Sequence, residues 1–192
     1  MKMGKGFSLS RFLAQNRQFM IPGFIISWLT FPGVIVHELA HKLFCNYTGT
    51  PVLQVCYFRL GNPAGFVIHG RPTSHWRHIL IGIGPLFVNT VVGLIVALLA
   101  NPMRNSDGPL GFAYGALIWI AVSIAMHSFP STGDAQSIWQ TVSEKGAPIS
   151  ARLVGTPLVA LIFAGAIGSI FWLDLLYGLG VVFGIPKILH IA

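Results

Sequence analysis

The chain has 192 residues, 54% hydrophobic and 9% charged, with a mean hydropathy of +0.71 and a formal net charge of +7. An average soluble domain is about 25% charged, so most of this surface faces something other than water, and a soluble globule is excluded. Its lysines and arginines flank apolar runs instead of clustering, as charges that anchor helix ends to lipid headgroups do; this excludes a phosphate-binding patch and nucleic acid as a partner.

Residues 7–19, FSLSRFLAQNRQF, interleave aromatic and aliphatic positions with Arg11 and Arg17 and predict an interfacial amphipathic helix within a basic segment 1–19. No small-residue cleavage site ends the apolar run that follows, so the expectation is an uncleaved N-terminus. A first span is expected from about Met20 to Phe44, bent at Pro32-Gly33 where proline removes an i→i−4 bond. Residues 46–77 then change character. Turn signals at TGTP and GNP bracket VLQVCYFRL and GFVIHG, which predict two or three short strands in a hairpin-like element. Open strands cannot lie in lipid, so this element belongs at the interface or among helices.

A second span is expected over Ile79–Ala100, a third over Leu110–Met126 and a fourth over Ala151–Leu173, with polar sequence from His127 to Ser150 between the last two. The short, glycine-rich stretch Leu175–Leu189 reads as a fifth span or a re-entrant segment. Cys45 and Cys56 form no CxxC pair and read as packing thiols. The expected fold is an all-α polytopic membrane protein of about four to five transmembrane helices, with a three-helix core and a β-hairpin-like element between the first two spans. A single membrane domain over 1–192 divides into the basic segment 1–19, a catalytic core 20–140 and additional C-terminal spans at 151–190.

The stretch VIVHELAHKLF, residues 34–44, puts His37, Glu38 and His41 into membrane-grade apolar sequence. A charged group at that depth costs about 3 kcal/mol unless it is used. On a helix, His37 and His41 differ by about 40° in azimuth, so both imidazoles can reach one metal ion. Glu38 is then placed to reach a water on that metal. This is the HExxH pattern of a zinc site, one ion per chain, in which zinc activates the water and the glutamate is general base. The alternative is a pair of buried neutral histidines, with Glu38 paired to an arginine or lysine.

A catalytic zinc needs a third protein ligand. Asp134 and His127 are the leading candidates, ahead of His69, His75, His78 and Asp174. Two further crossings after the first span return the chain to the histidines' side near residue 127. Asp174, after a fourth crossing, is expected on the wrong side. Asp134 is favoured because proline and glycine in FPSTGDA let irregular backbone fold back into the bundle; capping of the following helix is its alternative role.

Together, HELAH at 37–41, GPLFVN at 84–89 and HSFPSTGD at 127–134 resemble the site-2 protease family of intramembrane zinc metalloproteases. That family carries HExxH on one core helix, GPxxN on the next, and NxxPxxxxDG on the third, whose aspartate is the third zinc ligand. The resemblance covers about residues 20–140. It implies His37, His41 and Asp134 as zinc ligands, Glu38 as the base, and Gly84, Pro85 and Asn89 as the second motif, for which tight helix packing is the alternative. In the third motif His127 replaces the asparagine, Asp134 comes one residue early and Ala135 replaces the final glycine. His127 and Asn89 are candidates for holding substrate or its oxyanion, and His127 also stays open as a ligand.

The expected activity is hydrolysis of peptide bonds in or near transmembrane segments of membrane-protein substrates. Two other readings are a non-catalytic zinc-binding relative that binds membrane proteins without cutting them, and a metal transporter or sensor using the histidines. The strands are placed to hold an extended substrate by β-augmentation. Basic residues nearly balance across the membrane, so charge leaves sidedness open; the resemblance implies a site towards the cytosol.

Overall fold

The computed structural model describes residues 23–190. The predicted amphipathic helix at 7–19 lies outside them. Two helices come first, α1 (Gly23–Leu29) and α2 (Phe31–Tyr47), followed by strands β1 (Val52–Cys56) and β2 (Phe66–His69). Next come α3 (His75–Ala100), α4 (Gly108–Met126), α5 (Thr132–Ser143), α6 (Ile149–Gly168), α7 (Leu173–Leu179) and α8 (Ile185–Ile188).

Three described segments are long and apolar enough to cross a membrane: His75–Met103, Gly108–Met126 and Ile149–Phe171. A fourth is reached if α1 and α2 count as one broken span. That break corrects one expectation. The 91° bend falls at Thr30, between the two helices, and not at Pro32. Pro32 sits in the first turn of α2, where its missing N–H has no helical acceptor to lose. The stretch after residue 172 is not a fifth span of that length. It is built from α7, a π-helical turn at Gly180–Gly184 and α8.

The membrane character is visible in how α3 is faced. Phe87, Val91, Ile95 and Leu99 are exposed, while Ile81, Gly84, Pro85, Asn89, Gly93 and Ala97 are buried. Large apolar groups outside and small or polar groups inside is the arrangement that lets backbones approach in lipid. Ile79, Ile138, Val142, Ala151, Val159 and Ile162 form one core joining α3, α5 and α6. Ala97, Ala121, Ala125, Val181 and Val182 form a second, which docks the π-helical turn on α3 and α4.

Between α2 and α3, β1 and β2 pair antiparallel, with Cys56 opposite Phe66 and Val52 opposite His69 and a bulge between Val52 and Gln54. This is the expected hairpin-like element.

The polar stretch after residue 127 contains the helix α5, the segment that the alternative, capping role of Asp134 anticipates. Starting at the level of Ile81, α5 runs past His78, whose ring meets Ser137 at 2.7 Å and Thr141 at 2.6 Å, and its C-cap Glu144 pairs with Arg71. The next helix, α6, must first retrace that length. It has 20 residues against the 12 of α5, a surplus of about 12 Å at 1.5 Å per residue. Consequently its C-terminal end, where Gly165 meets Phe129, returns to the level of the 127–130 segment.

Candidate metal centre

His37 and His41 project from one face of α2, both more than 90% buried, with their Nε2 atoms 3.1 Å apart. Each ring is anchored through its other nitrogen. His37 Nδ1 donates to the carbonyl of His127 at 2.8 Å, and His41 Nδ1 donates to the carbonyl of Ile81 at 3.0 Å. Outer partners of this type fix the tautomer and orientation of ligand histidines.

The sequence explains why those two acceptors are available. His127 is the C-cap of α4, so its carbonyl has no helical partner. Ile81 lies four residues before Pro85, which has no N–H to donate to it. Pro85 therefore releases a mid-helix carbonyl for His41. Replacing Pro85 by alanine restores a competing N–H and is expected to weaken zinc affinity about tenfold, the lower end of outer-partner losses, read by competition with a chelating dye. Unchanged affinity would remove this role.

Asp134 comes from α5, three residues after the N-cap Ser131. Its Oδ2 accepts from Ser131 N at 2.7 Å and Ser131 Oγ at 2.6 Å, while Oδ1 lies 3.4 Å from His41 Nε2. The reciprocal bond, Asp134 N to Ser131 Oγ at 3.2 Å, completes a capping box. Thus capping and ligation, posed as alternatives in the sequence, are compatible: Oδ2 serves the cap and Oδ1 is left facing His41. Burial alone would raise this carboxyl. The hydrogen bond and charge of His41, the charge of His37 and the Ser131 hydroxyl hold it below the usual carboxylate range, so it is anionic at neutral pH. Ser131→Ala is expected to lower zinc affinity by roughly 10-fold to 100-fold while leaving the ligands in place, measured by the same competition; an affinity equal to wild type would contradict it.

The ligand atoms of His37, His41 and Asp134 all lie within 4.8 Å of one another. Both Nδ1–H groups are committed to carbonyls, so once the two rings are neutral their Nε2 lone pairs and the Asp134 carboxylate face a common point, a donor set that suits a divalent cation of zinc's ligand preferences.

Glu38 lies beside this group, 8% exposed, and fits only because residue 65 is glycine: a Cβ there would come 2.6 Å from Glu38 Cγ. These residues line a cavity of about 780 Å³ together with Gly65–Val67, Met126, His127, the 129–134 segment, Ser169 and Asp174.

His127 also lines the cavity. Its Nδ1 donates to Ser123 O at 2.9 Å, and burial holds its pKa below the usual histidine value. It stands outside the ligand group, as do His69 and His78, which line the cavity too. Asn89 is placed differently. It is fully buried, and its amide nitrogen donates to Gly33 O at 3.2 Å and Ile124 O at 3.1 Å, tying α2, α3 and α4 together. Gly84 in the same motif leaves room for the Phe44 ring. The GPxxN segment thus performs packing and, through the Ile81 carbonyl that Pro85 frees, orients the His41 ring.

The expectation for Asp174 is corrected outright. Because α6 first retraces α5 and its remaining length ends beside the 127–130 segment, Asp174 lines the same cavity and acts electrostatically on His127.

An HExxH helix with a third acidic group, set among membrane-length helices, defines the class as a metallopeptidase-type centre in a helical membrane protein. The chain belongs to the DUF3267 family, described as "Putative zincin peptidase", whose model matches residues 30–147. Comparison with curated proteins and with solved structures finds no match. The matched residues include all three ligand candidates, Glu38, both strands and the GPxxN segment.

Proposed function

We propose that the protein is an intramembrane zinc endopeptidase of the site-2 protease kind, cutting peptide bonds in or near transmembrane segments of other proteins. One observation carries the reading: His37, His41 and Asp134 meet beside Glu38 in a single cavity between membrane-length helices. Membership of a zinc peptidase family supports it. A bound zinc would supply a Lewis acid and lower the pKa of a water towards neutrality.

The chain's own residues supply the rest. Glu38 takes the proton from the attacking water and passes it to the leaving amine. Asp134 and the two histidines stay fixed through Ser131, Ile81 and His127. The peptide must lie extended to present a carbonyl, and β2 supports this: its Phe66 and Val67 line the cavity, and in a two-stranded sheet it is paired along one edge only. His127, on the cavity wall, is the candidate to hold substrate or oxyanion, since the Asn89 amide nitrogen is engaged with two carbonyls. The site is assigned to the cytosolic side, which the family resemblance supports.

The departures in the third motif favour a second reading, a zinc-holding relative that binds membrane proteins without cutting them. Cleavage of a co-expressed single-span protein, lost on Glu38→Gln with zinc retained, tests the first. Stoichiometric zinc in a wild-type chain that cleaves none of a panel of such proteins supports the second.

A further inference from the structure

We propose that the Asp174 carboxylate is a second recognition point in the cavity, taking a lysine or arginine side chain of the substrate close to the scissile bond. This rests on the peptidase reading above.

Four observations lead there. First, the carboxylate is brought to the cavity by a break in the helix. The last turn of the fourth span is a 3₁₀ turn at Ser169–Phe171, and Trp172 follows with φ of +61°, a left-handed conformation unfavourable for a bulky residue. Two residues on, Asp174 lines the cavity with Ala166 and Ser169. Second, its charge has no cationic partner among the described residues. Its recorded hydrogen bond is to the backbone N–H of the adjacent Leu175, at 2.9 Å, and no lysine, arginine or histidine lies within ion-pair distance.

Third, charge does not balance within the cavity. Of the five acidic residues in the chain, Glu38, Asp134 and Asp174 line it, and among the described residues no lysine or arginine does. One divalent cation offsets Glu38 and Asp134, so the charge of Asp174 remains in a partly desolvated space. Such a space concentrates cations. Fourth, lysine and arginine flank transmembrane segments, so unwinding the end of a substrate helix brings one beside the bond to be cut.

The test uses the full-length, zinc-loaded chain in lipid nanodiscs and a single-span reporter with a blocked N-terminus, whose cut site has been mapped by mass spectrometry. Lysine, glutamine or glutamate is placed in turn at each of the three positions on either side of the cut. At one or more positions lysine is expected to be cut about tenfold faster than glutamine, and glutamate slower than both. Asp174→Asn brings the lysine-to-glutamine ratio towards one, and Asp174→Lys turns the preference towards glutamate. If Asp174→Asn accumulates poorly, Asp174→Glu decides, because it keeps the charge and retains the lysine preference. A wild type indifferent to lysine at every position, or an unchanged ratio in Asp174→Asn, overturns the proposal.

A binding arm separates this outcome from failure of the peptidase reading. Fluorescence anisotropy of labelled lysine and glutamine peptides on the Glu38→Gln chain, with and without Asp174→Asn, reads the same discrimination without turnover. Absence of all cleavage sinks the enzyme reading, while the anisotropy ratio still decides the role of Asp174.

Discussion

Glu38→Gln is expected to lower cleavage of a single-span substrate by about a thousandfold or more while the chain keeps one zinc. General base catalysis contributes typically 10²–10⁴-fold, and Glu38 is the acidic group beside the His37, His41 and Asp134 cluster that is not itself part of it, so its loss is placed in the upper part of that range. The substitution is nearly isosteric, so the side chain still packs on Gly65, and His37, His41 and Asp134 keep their own partners. Metal content by mass spectrometry and product appearance on gels check the two halves together. Retained cleavage would sink the role of Glu38. Loss of both zinc and cleavage would make Glu38 part of the metal's support instead.

The second large effect belongs to Asp134, through a paired comparison. Asp134→Ala removes a ligand and the capping box, the latter worth roughly 1 kcal/mol of helix stability. Asp134→Asn keeps a side-chain oxygen for Ser131 and removes the charge. Both are expected to reduce zinc affinity by at least about a hundredfold, beyond the loss typical of an outer partner. Only the alanine variant is expected to unfold measurably earlier on heating. Stoichiometric, tight zinc in Asp134→Asn would show that the carboxylate caps α5 and does nothing more.

The spans were legible because apolar length is a strong signal. Expectations of Ile79–Ala100, Leu110–Met126 and Ala151–Leu173 stand against helices at His75–Ala100, Gly108–Met126 and Ile149–Gly168. The hairpin was legible from turn residues and β-branched runs. The helix α5 was legible only as the segment that Asp134 could cap: it has 12 residues, and it begins in a proline- and glycine-bearing turn that reads as loop, so where it packs was not readable. Counting crossings without it misplaced Asp174, since that count assumes that each helix starts at a membrane surface. The juxtaposition of His37 and His41 was legible from i, i+4 geometry alone. The roles of Pro85 and Ser131 were only partly so. Ser131-x-x-Asp134 is a readable capping signature, but that the same carboxylate also reaches His41 is a tertiary fact. Likewise, nothing local to GPLFVN says that the carbonyl freed by Pro85 will meet a ring from another helix.

The anchoring of the two rings on His127 and Ile81 also ties the ion to the assembly of the helices. A cation here would be gripped by side chains of α2 and α5 whose orientation depends on backbone of α3 and α4. By linkage, whatever free energy the ion contributes to binding it contributes equally to docking those four helices. Synthesis from the N-terminus delivers α2 first, and its histidines then lack the Ile81 carbonyl, the His127 carbonyl and the Asp134 carboxylate. The last two arrive roughly ninety residues later. A cation could therefore be held by the full set only once α5 has docked on α2, α3 and α4, and a chain short of that point holds an incomplete set.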